Sequence, residues 1–244
     1  MIIGLWHPGS GLGDQLFCYL GARITAERLN VPFTMVGQFK GDPFITLDKG
    51  IQAEIPHHIE YPAGKIIIDN DFPVYEGKTY YDPEFNFIED NTIVDGCRLQ
   101  DERYWAGYPV GEWLQTEPLE MPDDLCVIGF RGGEYYTDPS LGLPLDYYQY
   151  GITEMWKKGI TKFEVHTDDP EMAKTLFPYP VTHEVGINWR SVRYAKHAII
   201  ANSAFYILPR LLNGGDTVAP RYWARRNIKE WSTPQNYYSR FQYL

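Results

Sequence analysis

The stretch CVIGFRGGEYYTDPS, residues 126–140, decides how the second half of the chain is interpreted. Residues 126–130 form a short apolar run, which predicts a buried strand. Arg131 follows directly, and two glycines and Glu134 come after it. In an open α/β sheet, ligands bind outside the carboxyl ends of the strands, where glycines let a phosphate or a sugar approach the backbone. The arginine suits a phosphate, but a strand, a glycine turn and a surface arginine would explain the same letters.

Outward from this stretch, apolar runs alternate with helical patterns. Strands are predicted at 126–130, 162–166, 181–185, 198–201 and 217–220. Helices are predicted at 146–158, 170–176, 189–196 and 203–212. Strands that alternate with helices in this way indicate a mostly parallel sheet with crossover connections.

Polar side chains mark three strand ends in this half. They are Arg131-Gly132-Gly133, Thr167-Asp168-Asp169 and Asn202-Ser203. We expect Arg131 to hold a diphosphate, a carboxylate such as Asp168 to accept hydrogen bonds from guanine, and the helix start at Ser203 to bind an anion. Together these three strand ends would bind a nucleoside diphosphate without a metal ion. Each also has a structural interpretation: Asp168 or Asp169, with Pro170 at a first-turn position, and Ser203 would be helix caps, and Arg131 would be a surface charge.

The first half opens with a βαβ pattern. A strand at 2–6, a glycine-containing turn, a helix from Asp14, its N-cap, to Leu29 and a strand at 31–36 are predicted. The turn GSGLGDQ has neither the dinucleotide-binding GxGxxG spacing nor the GK[ST] of a P-loop. It is either a tight turn into a packed helix or a loop that faces a sugar or acceptor through Gly11, Asp14 and Gln15.

The rest of the first half carries weaker signals. Further strands are predicted at 65–69 and 91–96, and the adjacent His57 and His58 favour a solvated loop over a metal site. Aromatic residues between 100 and 114 favour a core over a sugar-stacking surface. The acidic, proline-containing segment 115–124 is the predicted linker, so we expect domains at 1–118 and 119–244.

Composition excludes several classes of protein. The chain has 244 residues, 44% hydrophobic and 22% charged, which permits a sizeable core and argues against disorder. A formal net charge of −10 argues against nucleic-acid partners. The three cysteines, Cys18, Cys97 and Cys126, are widely spaced, so neither a disulfide framework nor a zinc site is expected.

The chain start carries no targeting signal that we can identify. The first fifteen residues, MIIGLWHPGSGLGDQ, lack the features of a signal peptide. No apolar run is long enough for an integral membrane segment. A soluble, cytoplasmic protein is therefore expected.

Several segments, in order, resemble glycosyltransferase family 11, the α-1,2-fucosyltransferases. GSGLGDQLFCYLGAR (9–23) is similar to the family's GGLGNQLFQY, and GCRLQDERYW (96–105) to its GYFQSxKYF. GFRGGEY (129–135) resembles its HxRRGDY, and HTDDP (166–170) its FSDDP. KHAIIANSAFYIL (196–208) resembles KHxIIANSSFSWW, and VAPRYW (218–223) the late APxxW.

The resemblance implies a GT-B-like α/β fold with two Rossmann-type domains. The first would face a glycan acceptor and the second would bind GDP-fucose, with inverting, metal-independent transfer. It implies that Arg131 holds the β-phosphate, that Asp168 or Asp169 binds guanine, and that the segment 202–205 meets the phosphate or fucose. Those four residues are Asn202, Ser203, Ala204 and Phe205.

The chain departs from this pattern at the motif itself. Gly129, Gly132 and Glu134 stand where the family segment has histidine, its second arginine and aspartate, and Ala204 replaces a serine. Glu134 and Asp138 are the candidate catalytic bases beside Arg131. Three hypotheses follow: a GDP-fucose transferase, a transferase that uses another nucleotide-sugar, or a nucleotide- or glycan-binding module without turnover.

Overall fold

The computed structural model describes residues 1–51, 73–76, 81–96, 99–138, 140–221 and 241–244. These residues form two compact units, Met1–Gln115 and Thr116–Leu244. The division falls at the start of the segment 115–124 that the sequence marks as a linker. The predicted strand at 65–69 and the pair His57 and His58 lie outside the described residues.

The first unit holds four described strands and one long helix. Its strands and α-helices are β1 (Ile2–Trp6), α1 (Leu12–Leu29), β2 (Phe33–Gly37), β3 (Val74–Glu76), β4 (Ile93–Asp95) and α2 (Val110–Trp113). Short 3₁₀ helices cover Pro83–Phe87 and Glu102–Tyr104. The sheet order is β2-β1-β4-β3, and neighbouring strands run parallel.

The helix α1 begins earlier than the sequence predicts. Gly11, in extended conformation, precedes the first helical residue, so the prediction of Asp14 as N-cap is wrong. Asp14 instead lies in the first turn, where a carboxylate is favourable beside the free backbone N–H groups. The helix ends where predicted, because Asn30 adopts a left-handed conformation with a φ of 54°.

The described residues of the second unit form six strands, and strands and helices largely alternate along the chain. They are β5 (Leu125–Phe130), α3 (Glu134–Thr137), α4 (Leu145–Lys157), β6 (Lys162–Thr167), α5 (Pro170–Leu176), β7 (Val181–Thr182), α6 (Val185–Tyr194), β8 (His197–Ile199), α7 (Ala204–Leu211), β9 (Asp216–Ala219) and β10 (Gln242–Tyr243). The predicted strand 181–185 is shortened because the Glu184 carboxylate accepts hydrogen bonds from the backbone N–H groups of Gly186 and Ile187 and begins α6.

The six strands lie in the order β10-β9-β8-β5-β6-β7, and every neighbouring pair is parallel. The predicted α/β class with two Rossmann-type, mostly parallel sheets is confirmed. In each sheet the chain moves outward in one direction and then returns to the other side of a central strand. This reversal lies between β1 and β4 in the first unit and between β5 and β8 in the second. Such a switch point leaves a crevice outside the carboxyl ends of its two strands.

None of the helices in the described ranges combines the length and apolar character that a membrane span requires.

Candidate functional site

The switch point of the second unit lies between β5, which ends before Arg131, and β8, which ends before Asn202 and Ser203. The end of β6, before Asp168, lies on the other side of β5. Phe130 pairs with Thr167, so Arg131 and Asp168 leave adjacent strands side by side. Ile128 pairs with Ile199 on the other flank, which places the end of β8 and the start of α7 at the same edge. Sheet register therefore brings the three strand ends marked in the sequence to one edge of the sheet, and a binding site there stays a prediction.

Arg131 is held chiefly by a carboxylate. Its Nη1 lies 2.8 Å from Asp168 Oδ2, and its Nη2 lies 3.7 Å from Glu134 Oε1. Its guanidinium also lies over the Tyr135 ring, 4.7 Å from the ring centre. Its Nε is buried and has no hydrogen-bond partner among the residues that the structure describes. Asp168 therefore orients Arg131, and the Nε–H group of Arg131 can still donate a hydrogen bond.

The glycine turn after Arg131 is bound to the same pair of aspartates. The backbone N–H of Gly132 donates to Asp168 Oδ1 at 3.0 Å, and that of Gly133 to Asp169 Oδ2 at 3.1 Å. A Cβ at position 132 would lie only 2.4 Å from the Cβ of Asp169. The second arginine of the resembled segment therefore has no room here, because the turn packs directly on the β6–α5 connection.

Asp169 also caps a helix, as one of its sequence interpretations predicts. Its Oδ1 accepts a hydrogen bond from the backbone N–H of Met172 at 3.1 Å. Each carboxylate thus accepts hydrogen bonds or an ion pair on both oxygens from its own surroundings. A guanine contact by Asp168 or Asp169 stays a prediction, and it would have to use a second lone pair of these oxygens or displace one of these contacts.

The two predicted bases differ in their surroundings. The Glu134 side chain is 78% exposed, and its contact with Arg131 is the long one of 3.7 Å. The Asp138 carboxylate accepts from the backbone N–H of Ser140 at 2.9 Å and from its hydroxyl at 2.6 Å. Asp138 therefore closes its own turn, and a catalytic role for either carboxylate stays a prediction.

The start of α7 closes the other side of the crevice. Ser203 is buried at 5% exposure and makes no capping hydrogen bond to α7, a helix that the structure describes completely. Asn202 Nδ2 donates to the carbonyl of Leu141 at 2.9 Å, which ties this end to the loop after α3. Ala204 and Phe205 are half-buried in the first turn.

Tyr206 explains why residue 129 is glycine. Its hydroxyl donates towards the carbonyls of His166, at 2.7 Å, and Phe130, at 3.1 Å, and so joins the ends of β5 and β6. Burial raises the pKa of Tyr206 far above its usual range, so the hydroxyl remains a donor. A Cβ at Gly129 would lie 2.7 Å from the Tyr206 ring. The aromatic ring fills the space of the histidine in the resembled segment.

Three predicted ligand residues belong to the first unit. Gly11 precedes α1 and is exposed, and Asp14 is half-buried in its first turn. Gln15 is buried, and its amide is occupied by the backbone. Its Nε2 donates to the carbonyl of Gln38 at 3.0 Å, and its Oε1 accepts from the N–H of Lys40 at 2.9 Å. Gln15 thus fixes the loops at this edge, and ligand contact by these residues stays a prediction.

Sequence reasoning missed one polar pair at the first unit's switch point, His7 with Asp95. His7 directly follows the predicted strand 2–6, and Asp95 lies near the end of the predicted strand 91–96. The sequence did contain a signal for this pair, because both residues are polar and lie at the carboxyl ends of predicted strands. The same criterion identified the three strand ends of the second half.

No group of three or more His, Cys, Asp or Glu side chains is placed to bind a metal ion in the part of the chain that the structure describes. Metal independence stays a prediction.

Comparison with known proteins gives structural likeness without a family. No protein-family model matches the chain, and no curated protein sequence matches it. The fucosyltransferase NodZ from Bradyrhizobium is similar at a TM-score of 0.47 and 16% identity, over 87% of this chain and 92% of that one. NodZ α-1,6-fucosyltransferase soaked with GDP-fucose gives 0.46 and 15%, over 87% and 92%.

A glycosyl transferase family 9 protein from Veillonella parvula gives a TM-score of 0.47 and 12% identity, over 100% of this chain and 85% of that one. Likeness of this degree sets neither the family nor the function of the chain. The resemblance to family 11 therefore stays a prediction.

Proposed function

We propose that this chain is an inverting glycosyltransferase that moves L-fucose from GDP-fucose to a glycan hydroxyl, in α-1,2 linkage and without a metal. The observation that carries the proposal is the meeting of Arg131, Asp168 and the start of α7 around one switch point. The ordered segments shared with the α-1,2-fucosyltransferases support the same assignment. The second unit would bind the donor and the first the glycan, and a cytoplasmic location stays a prediction.

The reaction requires a positively charged group beside the diphosphate of GDP, which gains negative charge as it leaves. The acceptor oxygen forms a bond to the anomeric carbon from the face opposite GDP, while the bond from that carbon to the β-phosphate oxygen breaks. Negative charge then develops on the departing diphosphate. Arg131, oriented in advance by Asp168, would stabilise this charge without reorganising during the reaction. A charge-assisted hydrogen bond of this kind is worth about 1.5–3 kcal/mol.

The start of α7 would supply the second set of donors. The first backbone N–H groups of a helix have no partners within the helix and point outward along its axis. Ser203 precedes α7 and makes no capping hydrogen bond to it, so its hydroxyl would donate to a phosphate or sugar oxygen. The loop after α3, tied to Asn202 through Leu141, would border the donor on the same side.

One observation favours a second candidate, a binding module without turnover. The aspartates of the β6–α5 connection accept the glycine-turn N–H groups and pair with Arg131, so carboxylates already occupy these donors. Gly132 stands where the resembled segment has its second arginine, so this chain has one positive charge fewer at the turn. A protein that had lost transfer would retain the fold and weak nucleotide binding under these conditions.

A donor panel tests the proposal. The purified protein is incubated with GDP-fucose, GDP-mannose, UDP-galactose or UDP-glucose, each with a glycan array and with EDTA, and products are measured by mass spectrometry. We expect a mass gain of one deoxyhexose from GDP-fucose alone, unaffected by EDTA. Transfer from another donor would replace L-fucose in the proposal. Nucleotide binding without transfer from any donor would instead support the binding module.

A further inference from the structure

A small cavity lies at the carboxyl edge of the second unit's sheet, between the end of β9 and the start of α4. Its volume is about 230 Å³. The buried residues that line it include Leu143, Tyr147 and Pro220, and the exposed ones include Asp146, Tyr150 and Arg221. The volume lies below the roughly 300–1,000 Å³ of pockets for drug-sized ligands, which suits a single sugar ring.

Two connections join this cavity to the candidate diphosphate site of the same unit. The Tyr147 hydroxyl donates at 2.7 Å to the carbonyl of Ile200, which comes two residues before Asn202. Asn202 Nδ2 in turn donates at 2.9 Å to the carbonyl of Leu141, which comes two residues before Leu143. Two residues of extended chain span at most about 7 Å. The cavity therefore lies next to the start of α7.

The order of the strands along this edge sets the direction in which a donor would lie. Four neighbouring strands follow one another as β6, β5, β8 and β9, about 4.8 Å apart. Asp168 follows β6, Arg131 follows β5, and Pro220 follows β9. With guanine beside Asp168 and the diphosphate beside Arg131 and Ser203, as proposed above, the sugar of the donor extends towards the end of β9.

The lining of the cavity matches the chemistry of a deoxy sugar. L-Fucose carries a methyl group on C5, and three of its hydroxyl groups are free in GDP-fucose. The apolar side chains of Leu143 and Pro220 offer burial to a methyl group. The Asp146 carboxylate can accept hydrogen bonds from sugar hydroxyls, and the Arg221 guanidinium can donate to them. The ring of Tyr150, which is 64% exposed, offers a face to the apolar CH groups of the sugar.

We propose that this cavity is the subsite for the fucosyl group of the donor, with Asp146 and Arg221 as the residues that bind its hydroxyls. The inference rests on the proposed function and adds to it the selection of the donor sugar. The methyl group of fucose lies against Leu143 and Pro220. A hydroxymethyl group at the same place would lose its contact with water without gaining a hydrogen-bond partner, so the cavity selects against it.

Calorimetric titration with GDP, GDP-fucose and GDP-L-galactose tests the subsite. GDP-L-galactose has the stereochemistry of the fucose donor and adds one hydroxyl group at C6. Wild-type protein should bind GDP-fucose about fivefold or more tightly than GDP-L-galactose, because the added hydroxyl finds no partner. Asp146→Ala and Arg221→Ala should each weaken GDP-fucose binding about three- to tenfold and leave GDP affinity unchanged. Asp124→Ala and Lys162→Ala, which remove an ion pair at the opposite edge of the sheet, are the matched controls.

Each outcome decides a different claim. Variants that keep the wild-type ratio of GDP-fucose to GDP affinity would overturn the subsite, and fucose transfer by wild-type protein would leave the proposed function standing. Equal losses for GDP and GDP-fucose would also overturn the subsite, since the cavity would then hold the nucleotide. Equal wild-type affinities for the two sugar nucleotides would place the methyl group elsewhere and overturn the proposal. Wild-type protein that binds neither GDP nor GDP-fucose would overturn both the subsite and the transferase itself.

Discussion

Asp168 binds Arg131 across the ends of neighbouring strands, with 2.8 Å between Oδ2 and Nη1. The other oxygen of the same carboxylate accepts the backbone N–H of Gly132, the next residue in the chain. One side chain therefore sets both the direction of the guanidinium and the path of the turn that follows it. It also brings a negative charge next to the place proposed for a diphosphate.

The variant Asp168→Asn distinguishes between two roles of Asp168, orientation of Arg131 and binding of guanine. If Asp168 serves only to orient Arg131, the amide oxygen of Asp168→Asn can still accept from the guanidinium while the negative charge beside the diphosphate is removed, so inorganic pyrophosphate should bind about three- to tenfold more tightly, the scale of a half-exposed charge. Calorimetric titration with pyrophosphate, GDP and UDP measures this. Asp124→Asn is the control, because Asp124 pairs with Lys162 at the opposite edge of the sheet. Unchanged pyrophosphate binding with lost preference for GDP would instead make Asp168 a guanine ligand.

The close packing of the glycine turn predicts a stability effect. Gly132→Ala places a methyl group 2.4 Å from the Cβ of Asp169, so the turn or the β6–α5 connection must shift. We expect a loss of about 1–3 kcal/mol in the free energy of unfolding. Urea denaturation measures it, with Gly214→Ala as the control, since a Cβ there meets no heavy atom within 4 Å. Equal stability of the two variants would contradict the described packing.

Sequence patterns located the strands of the second unit better than the contacts of the site. Apolar runs give strand positions because burial on both faces demands them, and β5, β6 and β9 lie within one residue of the predicted bounds. The Arg131–Asp168 pair depends on the strand register that places Phe130 opposite Thr167, two residues far apart in sequence. No local spacing encodes such a register. The same holds for His7 and Asp95, which are separated by 88 residues.

One of the two predicted aspartate caps, Asp169, is confirmed, and the other, Asp14, is wrong. Asp169 was correctly predicted as a possible cap, because proline follows it at a first-turn position. Asp14 was not the cap, because the glycine at position 11 starts the helix without a side chain. The roles of Gly129 and Gly132 are set by Tyr206 and Asp169, which only the tertiary structure brings close.

Arg210 is a second arginine with a structural role in the same unit. It is fully buried, and its guanidinium donates to Thr217 Oγ1 and to the carbonyls of Val192, Ala195 and Asp216. Arg210→Met keeps an apolar stem but leaves these acceptors without their donors. We expect a loss of about 3 kcal/mol or more in unfolding free energy. Lys157→Met, at an exposed position on α4, is the control. A loss below that of the control would contradict this role.

Acid sensitivity should depend in part on Glu164. Its pKa is held below the ordinary glutamate value, first by His166 and further by the Thr182 hydroxyl, while burial opposes the shift. Because the folded pKa is depressed, the stabilisation is complete above the unfolded pKa and is lost as pH falls through the folded pKa.

Glu164→Gln should therefore flatten the decline of stability with acid, measured by urea midpoints at successive pH values. Glu171→Gln, at an 84% exposed side chain, should retain the wild-type decline. Identical acid profiles for wild type and Glu164→Gln would refute the contribution of this carboxylate.

Calorimetric titration with GDP tests the account most directly, with EDTA present and with UDP and GMP for comparison. We expect GDP to bind more tightly than UDP and to lose about 10- to 150-fold in affinity in Arg131→Ala, the equivalent of one charge-assisted hydrogen bond. Lys162→Ala, at the amino end of β6, should bind like wild type. Absence of GDP binding by wild-type protein, or an Arg131→Ala variant that binds GDP as well as wild type, would contradict the donor site.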